Sequence, residues 1–243
     1  MRRESRVGRR DVLALGAASL AGLAGCLGGE RDGSDGSGGS TATTGESTGN
    51  TDIAQSLSTH AAATDLESQP IRGPDPLDAT ATIIAFEDPS CSRCRAFEQN
   101  VVPKLESDIE SGILSFVSRT YPVVYQWGKP AVQALEATFD RDEAAYWGLF
   151  SHYFEEQDAF STENVLDRTR TWLAENTDLD AEAIVADAEA KAFDDAVQAD
   201  LAAGDEAGAN GVTPSLFLFR DGQYRTTARG SVSYDVIANT LEL

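Results

Sequence analysis

Cys91 and Cys94 stand three positions apart, directly after the apolar run Ile83-Ile84-Ala85-Phe86 and directly before a stretch with helical spacing. A pair so placed requires a strand-to-helix turn with the first thiol at the helix N-terminus. There the backbone N–H groups and the helix dipole favour an anion. The thiolate is the reactive form of cysteine, so this position suits redox chemistry. A disulfide across so short a separation closes a tiny loop and constrains little of the unfolded chain, which makes stabilisation a weak reason for the pair.

The first part of the chain does not look like part of a fold. Residues 1–25 read as an export signal: Arg9-Arg10 before Asp11-Val12-Leu13 is a twin-arginine pattern, and Val12 to Leu23 is apolar, rich in small residues and short for a membrane span. Leu23-Ala24-Gly25-Cys26 resembles a lipoprotein processing box, in which Cys26 would carry the lipid; the alternative is an uncleaved anchor with an incidental cysteine. Residues 26–52 are dominated by Gly, Ser, Thr and acid, and are expected to act as a flexible tether without a core. Residues 53–243 are long enough for one core. With Cys26 given to a lipid, one pair remains for disulfide chemistry, in an exported protein where disulfides persist. The expected location is the extracytoplasmic face of the membrane, lipid-anchored.

The formal net charge is −21, and only three lysines occur, Lys104, Lys129 and Lys191. Without residues 1–25 the balance is 14 basic against 38 acidic residues, net −24. A chain this acidic is a poor partner for nucleic acid, whose phosphates need a basic surface. Such a surface keeps a protein soluble. It also suits high salt, where a Debye length of about 3 Å at 1 M screens self-repulsion.

Thr80 to Phe86 reads as a buried strand. Phe97, Val101, Leu105 and Ile109 then recur at helical spacing, and Pro103 should kink that helix. Ile113 to Val117 reads as a second strand, so residues 80–117 form a parallel strand-helix-strand unit with a right-handed crossover. From about 130 to 207 the pattern is helical, with aromatic stripes read as core, Ser161 and Asp180 as helix caps, and Phe193, Val197 and Leu201 on one face. Ser215 to Phe219 and Gln223 to Ala228 flank Asp221-Gly222 as a hairpin, and Ser233 caps a last helix to Leu241. The predicted class is α/β, with order β-α-β, helices, β-hairpin, α.

That order, with Cys91-Ser92-Arg93-Cys94 at the first strand-to-helix junction and Val212-Thr213-Pro214 before the hairpin, resembles a thioredoxin fold. The inserted helices make it similar to the DsbA-like thiol–disulfide oxidoreductases. Phe86, Asp88, Phe97, Tyr146-Trp147, Gln157 and the run Gly211 to Ser215 also match, over roughly residues 70–243. The acidic surface and twin-arginine pattern make the chain similar to exported lipoproteins of haloarchaeal type.

The resemblance implies that Cys91 is the nucleophilic, solvent-facing cysteine and Cys94 the buried resolving one. Pro214 would be a cis-proline facing the pair, and Thr213 would offer backbone groups to a bound peptide. The pattern departs from the family at one point. Many relatives carry a buried acid six positions before the first cysteine; here that residue is Ala85. Glu87 lies on the same side of the strand as Ala85, so proton handling falls to Glu87, to water or to nothing dedicated. Arg93 is expected to tune the redox pair by lowering the thiolate pKa, or else to be a solvated side chain.

The expected function is oxidation of dithiols in exported proteins through a mixed disulfide, with a membrane or soluble redox partner and no cofactor. The alternatives are a reductase or isomerase, or a lipid-tethered binding module with an inert structural disulfide. A metal site is disfavoured: two cysteines are half a zinc set, His152 lies in an aromatic helix, and His60 falls in a lead-in expected to be poorly ordered.

Overall fold

In the computed structural model, which describes residues 55–243, five strands form one mixed sheet. They are β1 (Ile71–Arg72), β2 (Ala81–Glu87), β3 (Leu114–Thr120), β4 (Ser215–Arg220) and β5 (Gln223–Arg229), in the order β1-β3-β2-β4-β5. The helices are α1 (Ser92–Asn100), α2 (Val102–Glu110), α3 (Gly128–Phe139), α4 (Glu143–Glu155), α5 (Val165–Asn176), α6 (Ala181–Glu189), α7 (Asp194–Ala207) and α8 (Tyr234–Leu241). The expectations for residues 1–25 and 26–52, including lipidation at Cys26, fall outside the described residues.

All seven residues of β2 are buried, as its β-branched and apolar content requires. It pairs in parallel with β3, from Ala81 opposite Leu114 to Glu87 opposite Thr120. The connection through α1 and α2 makes this the crossover unit read from the sequence. On its other side β2 runs antiparallel to β4, with Phe86 opposite Ser215. That register brings the end of β2, where the Cys91 turn begins, beside the start of β4, where Pro214 lies.

Alternate residues of the sheet serve two apolar layers. Ile83, Ala85, Phe116 and Leu218 face α1, α2 and α8, contributing Phe97, Leu105 and Ile237. Ile84, Phe86, Val117 and Phe217 face the segment holding Leu57 and Ala62, together with Ala203 of α7. A third cluster fills the helical block and reaches Cys91 and Cys94 through Trp127, Tyr153 and Phe160. The hairpin turn is built by Asp221 and Gly222 at φ 52° and 70°, the left-handed conformation such turns require.

Several local expectations need correction. Pro103 does not kink one helix but separates two: α1 ends at Asn100, and Pro103 stands in the first turn of α2. Its missing N–H is tolerated there and not in a helix interior. Ser161 does not cap α5 through its side chain. Asn164 occupies the cap position, and its Oδ1 accepts from the Ser161 N–H at 2.8 Å. Asp180 and Ser233 do cap their helices, accepting from Ala183 and Val236. His60 is packed rather than loose. It is 7% exposed, its Nδ1 accepts from the Ala62 N–H, and its ring stacks on Tyr224 at 4.8 Å.

Candidate active site

The turn Asp88–Cys91 carries the cysteine pair from β2 into α1, with Cys91 in the N-cap position. Cys91 and Cys94 are both free thiols in this structure. Cys91 is less open than a solvent-facing residue should be, at 3% exposure. The reason is the Thr213–Pro214 segment lying over it: the peptide bond between these residues is cis, and the Cys91 thiol donates to the Thr213 carbonyl at 3.5 Å.

The Cys91 thiol is lowered to about 5. A hydrogen bond from the Cys94 thiol is the largest cause, and burial opposes it. The Thr213 hydroxyl and the backbone N–H groups of Cys94 and Arg93 also donate to the thiolate. Thr213 is fully buried, and its hydroxyl makes no hydrogen bond to any other residue. Cys94 behaves oppositely. Burial pushes its thiol well above the usual range, and the Cys91 and Glu87 charges push it further. The two sulfurs are thus strongly differentiated, one held as a thiolate and the other as a thiol.

Strand alternation puts Glu87 with Ile83 and Ala85 on the face that carries α1. Glu87 is fully buried there. Its carboxyl pKa is raised well above normal by burial, then by Glu98, which also shares a hydrogen bond with it. Glu98 stands one helical turn after Cys94. Burial raises it to about 6, against the lowering effect of the Arg72 cation. Neither Glu87 oxygen has another hydrogen-bond partner. Two carboxyls in one dry site share a proton rather than both ionising. That pair lies beneath Cys94, where Ala85 offers nothing.

Asp88 ties the turn to the rest of the molecule. Its Oδ1 accepts from the Ser90 N–H at 2.8 Å and the Ser90 hydroxyl at 2.6 Å. Its Oδ2 accepts from the N–H groups of Val123 and Val124 at 2.8 and 2.7 Å. The Asp88 carbonyl accepts from the Cys91 N–H at 2.9 Å, and its own N–H donates to the Cys94 sulfur. Gly128 leaves room for this carboxylate, since a Cβ there would stand 2.5 Å from Oδ1. From the other side Tyr121 donates to Asp205 and accepts from the Gly211 N–H, anchoring the loop that leads to Pro214.

The expected sites therefore fare differently. Cys91, Cys94, Thr213, Pro214 and Glu87 come together. Arg93 lies beside them, but what it gives Cys91 is its backbone N–H, while its guanidinium packs toward Gly230. Sequence reading missed Glu98, the Asp88 clamp and the contact of Gln157 with the turn. Glu98 was findable, because a residue four positions after Cys94 shares its helix face.

The family model described as Thioredoxin matches residues 69–229. The chain belongs to the thioredoxin family. Among curated proteins, disulfide bond formation protein D of Bacillus subtilis (strain 168) is 26% identical over 109 residues, 44% of this chain and 48% of that protein. The match thus spans about half the length of that relative. Among solved structures, oxidised BdbD from Bacillus subtilis superposes with a TM-score of 0.64 at 23% identity, covering 73% of this chain and 92% of that one. Wolbachia pipientis alpha-DsbA1 gives 0.62 at 18%, covering 73% and 90%. Chlamydia trachomatis DsbA gives 0.60 at 19%, covering 72% and 89%. The fold of this thioredoxin-family chain is therefore the DsbA-like one, with helices inserted between the halves of the thioredoxin unit.

Proposed function

We propose that the chain is a thiol–disulfide oxidoreductase that oxidises dithiols of exported proteins. The observation that carries this reading is the asymmetry of the pair: Cys91 held near 5 and Cys94 held high, both against the cis Thr213–Pro214 segment. In the oxidised form a substrate thiolate attacks Cys91 Sγ, the Cys91–Cys94 bond breaks, and Cys94 leaves. The leaving sulfur takes a proton from the Glu87–Glu98 pair. A second substrate thiolate then attacks the substrate sulfur of the mixed disulfide, and Cys91 departs as a stable thiolate. Two electrons pass from substrate to protein, and the substrate leaves with a disulfide.

A low leaving-group pKa speeds that last step and stabilises the reduced protein, which makes the oxidised protein a strong oxidant. The Bacillus relative bears a disulfide-formation name, which agrees with this direction. The twin-arginine pattern and Cys26 support export and lipid anchoring at the outer face of the membrane, and the acidic composition supports life at high salt. A redox partner would reoxidise the pair.

The test is oxidation of a dithiol peptide by the full chain, with the equilibrium potential against glutathione. A potential near that of thioredoxin, or a Cys91→Ser variant that oxidises the peptide at the wild-type rate, overturns this assignment.

A further inference from the structure

We infer that the groove beside Cys91 selects partner segments carrying a carboxylate near the reacting cysteine, and that Arg93 and Lys104 are the residues that read it. This rests on the redox reading above and names the class of thiol segment it serves.

The groove has a volume of about 310 Å³. One wall is the outward side of α1 and α2, with Phe97 and Val101 at its floor; the other is the stretch 231–234. That second wall is tied to the redox centre, because the N–H of Gly230 donates to the Pro214 carbonyl at 2.8 Å. A chain whose cysteine meets Cys91 would thus run on into the groove. Arg93, two residues after Cys91, gives the sulfur its backbone N–H, while its guanidinium packs at Gly230. It lies over the bare backbone of Gly230, where a Cβ would come within 3.3 Å of Nη1. Lys104, in the first turn of α2, holds its ammonium 5.9 Å from the centre of the Tyr234 ring.

The charge pattern decides what fits. The groove lining contains both cations and no acidic residue. Elsewhere in this strongly acidic chain, arginines take carboxylate partners, as Arg72 does with Glu106, Arg95 with Asp158 and Arg141 with Asp187. Among the described residues Arg93 and Lys104 have no such ion pair. Two uncompensated cations on an apolar floor complement an extended segment with an acidic and an apolar side chain flanking the cysteine. A neutral segment gains only the apolar contact.

The experiment uses two dithiol peptides that differ only in Glu→Gln on either side of the cysteines, oxidised by the full chain. It is run at the lowest salt at which circular dichroism shows the protein folded. The quantity read is the ratio of kcat/KM for the Glu peptide over the Gln peptide. Two exposed charge contacts give about a threefold to tenfold effect, so the Arg93→Gln/Lys104→Gln double variant should lower the ratio by that factor, mostly through KM. Rising NaCl should shrink the same factor in the wild type. Lys129→Gln and Lys191→Gln, which remove exposed cations outside the groove, should leave the ratio where it was. A ratio that the double variant does not move, or that the distant lysines move equally, overturns the inference. If neither peptide is oxidised, the redox reading itself fails. Fluorescence anisotropy of labelled peptides with serine in place of cysteine then decides the groove alone. Tighter binding of the Glu peptide that is lost in the double variant upholds it, and equal binding of both peptides removes it.

Discussion

The side-chain amide of Gln157, which follows α4 in the helical block, donates to the carbonyl oxygen of Cys91 at 3.1 Å and to that of Pro89 at 2.7 Å. The inserted helices therefore hold the turn that carries Cys91 directly. Gln157 is 7% exposed, so loss of its amide leaves buried carbonyls without that donor. Gln157→Ala should destabilise the protein by about 1–3 kcal/mol. Gln157→Glu should cost more at pH 7 than at pH 4, because a carboxylate would face two carbonyl oxygens. Urea denaturation at the two pH values checks both, and equal costs for the glutamate variant would refute the hydrogen-bond account.

The reactivity of Cys91 should follow its thiolate. Its reduced-state pKa is about 5, so alkylation by iodoacetamide should rise with a midpoint near that value. The stability effect has a definite sign. An acid with a depressed folded pKa stabilises the fold above its unfolded pKa, and the gain is lost as pH falls through the folded value. Reduced protein should therefore gain stability relative to the oxidised form between pH 5 and pH 8. Parallel denaturation curves of the two forms across that range test it. A gap that stays constant removes the low thiol pKa.

Asp88 offers a prediction in which two explanations give opposite signs. Its carboxylate accepts from Ser90, Val123 and Val124, holding the Cys91 turn against the loop after β3. Asp88→Asn is nearly isosteric but turns an NH2 donor toward groups that are themselves donors. If Asp88 acted only through its charge, the variant would lower the Cys91 pKa further. If it acts by holding the turn, the donors around the sulfur shift and the pKa rises, by about one pH unit. The rise is expected. Gly128→Ala should mimic it by crowding the same carboxylate. Thiolate absorbance against pH reads both variants.

Much of this arrangement was legible in residue order, and the reasons differ by element. The β2 apolar run, the Cys91–Cys94 spacing and the Asp221-Gly222 turn are local signals whose physics acts within a few residues, and each appears where it was expected. The two-residue strand β1 carried no pattern, because so short an edge strand exists only through its pairing with β3. His60 lacked a signal for the same reason: its burial depends on Tyr224 and Phe219, far along the chain. Arg93 shows a different limit. Its neighbourhood in sequence suggested charge tuning of Cys91, but the direction of a long side chain is set by Gly230 across the groove.

Under the mechanism proposed above, Cys94 leaves as a thiolate that must be protonated, and Ala85 on the same sheet face offers no proton. Glu87 shares a hydrogen bond with Glu98, and burial raises its carboxyl pKa well above the usual range, so it holds its proton to higher pH than an exposed acid and is placed to supply it. Glu87→Gln keeps the shape and removes the proton. Stopped-flow tryptophan fluorescence should then show slower reduction of the oxidised protein by a dithiol peptide at pH 7. The stability signature runs the other way. An acid whose folded pKa is raised loses stability as pH climbs through and beyond its unfolded value, because ionisation is opposed in the fold. Glu87→Gln should therefore be more stable than wild type at pH 8, with the advantage fading toward pH 4. A variant that reacts at the wild-type rate but shows the stability gain would make Glu87 a tolerated buried acid, and the proton to Cys94 would have to come from water.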